Sequence, residues 1–223
     1  MKNKNKLINI LFILLVLFVL GFFIQKNFFQ KPIPKNQLLE LSKKGNGKNE
    51  LKVVLEYGCH FARDYYLETI YPNENKLLQN NIHIIYDLIS LNYTEPSFPA
   101  VKAVYCANEQ NKFFELNNIF FNQASNADTI KDVFTEENII NLSKQVKMNQ
   151  DQFQECFLSD KYDEYIYNHS REYISNLKED ERFGFPSTYL NQEILTINLN
   201  AQQLPLGYTS FDELNNIIQT KLK

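Results

Sequence analysis

Between Leu51 and Ile89, two short apolar runs flank a stretch with helical spacing, and this order restricts the fold more than any other feature of the chain. Residues 51–57 are rich in Val and Leu, end at Gly58, and read as a buried strand. Residues 62–79 place Tyr65, Tyr66, Ile70, Leu77 and Leu78 at helical intervals, and Pro72, which has no N–H to give, kinks or divides that helix. Residues 82–89 form a second strand pattern, with His83 inside it. Two strands joined through a helix cross over and pair in parallel, so the chain is predicted to be an α/β protein.

The second half of the chain is first helical and then changes character. Residues 99–121 carry Val101, Val104, Tyr105, Phe113, Leu116, Ile119 and Phe120 at helical spacing, and 136–146 form another helix. Asn149 stands three residues before Gln152, an N-cap signature that opens a helix through Cys156. A polar, Tyr-rich helix follows from Asp160 to about Leu177 and contains His169. Residues 187–190 and 194–197 flank Asn191-Gln192-Glu193 and read as a β-hairpin. Ser210 with Glu213 makes a capping box for a last helix that turns Phe211, Leu214, Ile217 and Ile218 inward. The predicted order is β-α-β, a helical insert over about 97–180, then β-β-α.

The N-terminus is of a different kind. Lys2, Lys4 and Lys6 precede an apolar run over 7–24 that only Asn9 interrupts. About eighteen helical residues span roughly 27 Å, close to the ~30 Å hydrocarbon core of a bilayer. The cationic residues 1–6 favour the cytoplasmic side, which sends the rest of the chain outward. A cleaved signal peptide is the competing reading, but Gly21-Phe22-Phe23-Ile24-Gln25 offers no A-x-A site, and an uncleaved anchor is expected. Residues 25–50, with Pro32, Pro34, Gly45, Gly47 and several lysines, read as a spacer, and Leu38, Leu39 and Leu41 as a short helical turn within it. The domain is expected over 51–223. The net charge of −3 leaves no nucleic-acid footprint. The histidines His60, His83 and His169 are scattered, so neither a Ser-His-Asp arrangement nor a metal-ligand spacing is visible. His83 and His169 read as structural, and no cofactor is implied.

Four segments, in order, resemble the DsbA-like thioredoxin family of exported thiol–disulfide oxidoreductases. They are Cys59-His60-Phe61-Ala62 after the first strand; Ala103 to Leu116, which contains Cys106; Phe153 to Tyr162, which contains Cys156; and Gly184-Phe185-Pro186-Ser187-Thr188-Tyr189-Leu190-Asn191. The resemblance covers about residues 51–222 and implies a thioredoxin-like fold with a helical insertion. It implies that Cys59 stands at the family's reactive cysteine and that Pro186 has the cis peptide bond of the loop beside it. It also implies that Phe61 and Phe185 form an apolar rim for an unfolded client. Cys106 and Cys156 resemble the pair that bridges the insert in a subset of the family, and two buried free thiols are the competing reading.

With three cysteines, one thiol is left over, and the resemblance makes it Cys59. A cysteine at a helix N-terminus meets unpaired N–H groups and the positive end of the helix dipole. Both favour thiolate, so a lowered pKa is expected, to which a protonated His60 would add; a solvent-exposed His60 without consequence fits equally. The departure from the family is Ala62, where a second cysteine would resolve the mixed disulfide. Glu56, three residues before Cys59, is either a base or a loop cap, and Asn191-Gln192 stands where the family often has Asn-Gly. Two functions follow. One is a membrane-anchored protein that exchanges thiols and disulfides with exported proteins through Cys59 alone. The other is a non-catalytic thioredoxin-like module that binds a partner protein in an envelope complex, with Cys59 inert.

Overall fold

Five strands form the central sheet in the order β1-β3-β2-β4-β5. They are β1 (Lys43–Lys44), β2 (Asn49–Leu55), β3 (Ile82–Leu88), β4 (Ser187–Leu190) and β5 (Glu193–Ile194). The computed structural model describes residues 39–91, 96–125, 130–176, 184–199 and 202–223. All of them lie in a unit that runs from Pro34 to Lys223. The apolar run at 7–24, and with it the expected anchor and leader, falls outside the described residues. No helix among the described residues is long and apolar enough to cross a membrane.

The parallel pair predicted from the crossover is the centre of the sheet. Asn49 pairs with Ile82 and the register runs through to Leu55 opposite Leu88. Leu51, Val53, Val54, Leu55, Ile82, Ile84, Tyr86 and Leu88 are buried, as expected of strands covered on both faces. β4 joins β2 antiparallel, with Leu51 opposite Leu190 and Val54 opposite Ser187. The sheet begins earlier than Leu51. Residues 39–41 form a helical turn, Ser42 is buried, and β1 pairs antiparallel with β3, so the second half of the expected spacer is folded. Lys44 is held by the carboxylate of Glu74, which also accepts from the Tyr86 hydroxyl. Gly47 permits this approach, because a Cβ there would lie 2.3 Å from the backbone of Asn81 and Ile82.

The crossover helix starts two residues earlier than its apolar pattern and is not uniform. It consists of α1 (His60–Asp64), a π-helical turn (Tyr65–Ile70), a 3-10 turn (Tyr71–Asn73) and α2 (Glu74–Gln79). The 3-10 turn contains Pro72, the residue expected to divide it. The insert contains α3 (Ser97–Asn108), α4 (Phe113–Ser125), α5 (Ile130–Val133), α6 (Glu136–Ser143), α7 (Gln150–Phe157) and α8 (Asp163–Asn176). The helix expected over 99–121 is therefore two, broken where Asn111 takes a φ of 57°. Asn149 caps α7 by accepting from the backbone N–H of Asp151 and Gln152.

The predicted hairpin is only half present. Asn191 and Gln192, at φ 50° and 71°, turn the chain from β4 into β5, as a two-residue turn of this hand requires. The sheet then ends at Ile194. After Leu195, residues 196–199 pair instead as β6 (Thr196–Leu199) with β7 (Gln202–Pro205) in a separate two-stranded sheet. Helix α9 (Phe211–Lys221) closes the chain. Ser210 accepts from the Glu213 N–H, while the Glu213 carboxylate takes the Thr209 hydroxyl at 2.5 Å. Leu214 and Ile218 are buried, and Phe211 and Ile217 are half-buried.

Candidate functional site

The site forms where β2 ends and the chain must turn into α1. Strand pairing stops at Leu55, and the Cys59 N–H donates to the Glu56 carbonyl at 3.1 Å, closing a tight turn over residues 56–59. Gly58 leaves room in it for the Glu56 carboxylate, one oxygen of which would lie 2.8 Å from a Cβ at that position. Tyr57 is pulled inward at the same turn. Its hydroxyl donates to Asn117 of α4 at 2.5 Å, and its ring meets Phe120, Phe121 and Phe134. The insert thus grips the chain two residues before Cys59. Arg63, four residues after it, donates to the Ala124 carbonyl at the end of α4 at 2.8 Å.

Cys59 is the N-cap residue of α1 and is half-buried. Its thiol donates to the Phe185 carbonyl at 3.3 Å. The Phe185–Pro186 peptide bond is cis, and Pro186 is buried. Cys59, Phe185 and Pro186, far apart in sequence, therefore meet. The contact to the sulfur is made by the backbone, through the carbonyl of Phe185. The Phe185 ring stacks on Tyr173 of α8, with centroids 6.1 Å apart. Phe61 is 53% exposed, with the exposed His60 ring against it at 3.9 Å. Ala62 is fully buried one turn into the helix.

The expected lowering of the Cys59 pKa is not what this arrangement produces. Burial pushes the thiol up from its ordinary value, against the pull of the Ala62 and Phe61 backbone N–H groups. The nearby Glu56 carboxylate adds to the rise, and the Arg63 guanidinium opposes it. Desolvation of the thiolate wins. The thiol proton has a fixed acceptor in Phe185, and a hydrogen bond made by the neutral form works in the same direction.

Cys106 of α3 and Cys156 of α7 are joined in a disulfide with Cα atoms 5.7 Å apart, and both are buried. The Glu109 carboxylate lies 3.2 Å from the Cys156 sulfur and accepts from Lys161 at 2.8 Å and Tyr162 at 2.9 Å. Cys106, Glu109 and Cys156 are the one grouping of metal-ligand types among the described residues, and its sulfurs are committed to each other. His83 bonds the Gly47 carbonyl at 2.7 Å and braces the β1 approach. His169 is buried on α8 with Nε2 2.6 Å from an Asp87 oxygen at the end of β3. Tyr57, Arg63 and Tyr173 were not singled out by sequence. Arg63 carried a weak signal, a cation one turn after the helix-opening cysteine, whereas Tyr57 and Tyr173 look like ordinary apolar positions.

No family model matches the chain, and no curated protein matches it. Solved structures do. The DsbA of Chlamydia trachomatis aligns with a TM-score of 0.63 at 13% identity over 81% of this chain and 89% of that one. BdbD from Bacillus subtilis, in its oxidised form, aligns at 0.62 and 14% identity over 81% and 92%. The thiol-disulfide exchange protein alpha-DsbA2 of Wolbachia pipientis aligns at 0.61 and 17% identity over 83% and 88%. The chain's structural neighbours are DsbA-like thiol–disulfide oxidoreductases, and what it shares with them at these identities is the thioredoxin fold with its helical insert.

Proposed function

We propose that this protein exchanges thiols and disulfides with exported proteins through Cys59 alone, from a domain that residues 7–24 hold on the outer side of a membrane. The observation that carries the reading is the approach of the Cys59 thiol to the Phe185–Pro186 loop at 3.3 Å, at the mouth of a helix. Export is supported by the buried Cys106–Cys156 bridge, since such bonds persist outside the reducing cytosol. In the reaction, the Cys59 thiolate attacks one sulfur of a client disulfide, a mixed disulfide forms, and the other client sulfur leaves as thiolate. Ala62 cannot take the next step. Release needs a second client thiolate to attack the client sulfur of the mixed disulfide and expel Cys59 as thiolate, which returns the client with a rearranged pairing and no net oxidation.

The raised thiol sets the tempo. Less thiolate at neutral pH slows attack, and a sulfur of high pKa is a poor leaving group, so the mixed disulfide persists. Slow capture suits this site better than rapid shuffling. The second reading, a non-catalytic module that binds an envelope partner, is favoured by the same burial of Cys59. Incubation of the full chain with a disulfide-bonded unfolded protein separates them. Exchange gives a reducible adduct that Cys59→Ser abolishes; the binding module gives none and tolerates the substitution. Membrane extraction tests the anchor: the chain should resist alkaline carbonate and yield to detergent.

A further inference from the structure

Helix α8 carries Tyr165, His169 and Tyr173 four residues apart, so the three share one face. His169 is 7% exposed and is pinned to the buried Asp87 at 2.6 Å. Tyr165 stacks on His169, with ring planes 8° apart. Directly after His169, Ser170 accepts from the Ser90 backbone N–H at 3.1 Å, just past the end of β3. The middle of the helix is therefore tied to the end of β3 by two polar contacts. Its next turn presents Tyr173 to the Phe185 ring at 6.1 Å and 24°. The carbonyl of that same Phe185 receives the Cys59 thiol.

We infer that Tyr173 is a positioning residue for Cys59: its ring, fixed by the Asp87–His169 tie, holds Phe185 so that the Phe185 carbonyl stays on the thiol. This rests on the reading of Cys59 as the exchanging thiol and adds what governs its readiness. The insert supplies no atom to the reacting sulfur from Tyr173. It sets how long the thiol proton keeps its acceptor. The hold on Phe185 is made by the ring, while the Tyr173 hydroxyl lies toward Ser187 and Tyr189 of β4. The charged groups that bear on the thiol are Glu56 and Arg63, with His60 adjacent in sequence, and none lies on α8. A change at Tyr173 that moves the thiol's titration therefore acts through the Phe185 carbonyl.

The test is the pH profile of Cys59 alkylation by iodoacetamide in the full chain in detergent micelles, with the Cys106–Cys156 bridge intact. Losing one hydrogen bond of ordinary strength to the neutral form corresponds to about a fivefold rise in thiolate at a given pH. Tyr173→Ala is expected to lower the midpoint and speed alkylation about fivefold at pH 7.5, with the high-pH plateau within twofold of the parent. Tyr173→Phe should keep the parent midpoint, and so should Ile174→Ala, at the exposed next position. Tyr173→Leu keeps apolar volume without the ring and should behave as Tyr173→Ala if the latter does not fold. An unmoved midpoint in Tyr173→Leu, an equal shift in Tyr173→Phe, or a rise confined to the plateau overturns the inference. Adduct formation with a disulfide-bonded client is read separately: its absence in the parent removes the exchange reading and leaves the titration result standing.

Discussion

The two sulfur centres of this domain are built in opposite ways. Cys106 and Cys156 come from two packed helices of the insert, are buried, and are closed on each other. Cys59 comes from a turn between strand and helix, is half-buried, and faces a backbone carbonyl. Each has a carboxylate close by, Glu109 against Cys156 and Glu56 beside Cys59. At the bridge, Glu109 is committed to Lys161 and Tyr162, and no thiolate exists for its charge to oppose. At Cys59 the carboxylate raises the cost of forming thiolate, in addition to burial. A helix N-terminus is therefore not enough to activate a cysteine. The sulfur must also be wet and the neighbouring charge of the right sign, and here neither condition is met in full.

Four variants probe this contrast, and a fifth marks its boundary. Cys59→Ser should remove the mixed-disulfide adduct completely on a non-reducing gel while changing the unfolding free energy by less than about 1 kcal/mol. The Cys106→Ser, Cys156→Ser double variant should do the reverse: it keeps the adduct and loses about 4 kcal/mol in denaturant titration, because the bridge closes a loop of sequence separation 50. His169→Leu leaves the buried Asp87 carboxylate without its histidine and should cost about 3 kcal/mol, with a fall in Tm. Glu56→Gln removes a negative charge that holds the thiol up, so the alkylation midpoint of Cys59 should fall and the rate at pH 7.5 rise about threefold. Gln192→Gly relieves a positive φ far from both sulfurs and should add about 0.5 kcal/mol without altering Cys59.

What the sequence makes legible follows from how local each signal is. The parallel pair shows because residues 51–55 and 82–88 are short, mostly apolar runs and the segment between them has helical spacing. The caps at Asn149 and Ser210 show because a cap acts over three residues. The order of motifs points to the fold, and Cys59, Phe185 and Pro186 meet across 126 positions because that fold brings the loop to the turn. Features set by tertiary contact are not legible. β1 reads as spacer because two lysines and two glycines have no apolar alternation, yet the exposed edge of β3 accepts it as a partner. The break at Asn111 is hidden because Phe113 and Leu116 keep helical spacing across it. The direction of the Cys59 titration is not legible for the same reason, since burial of a sulfur is decided by residues far away in sequence.

The rate of mixed-disulfide formation between Cys59 and glutathione disulfide, followed by intact mass from pH 6 to 10, tests the central claim most directly. One bound glutathione is expected per chain, absent in Cys59→Ser, forming slowly at neutral pH and accelerating above the unperturbed thiol value of about 8.5. The adduct should persist until an external thiol is added, because Ala62 offers no internal one. A parent chain that forms no adduct at pH 9, or an adduct that survives Cys59→Ser, would contradict the account.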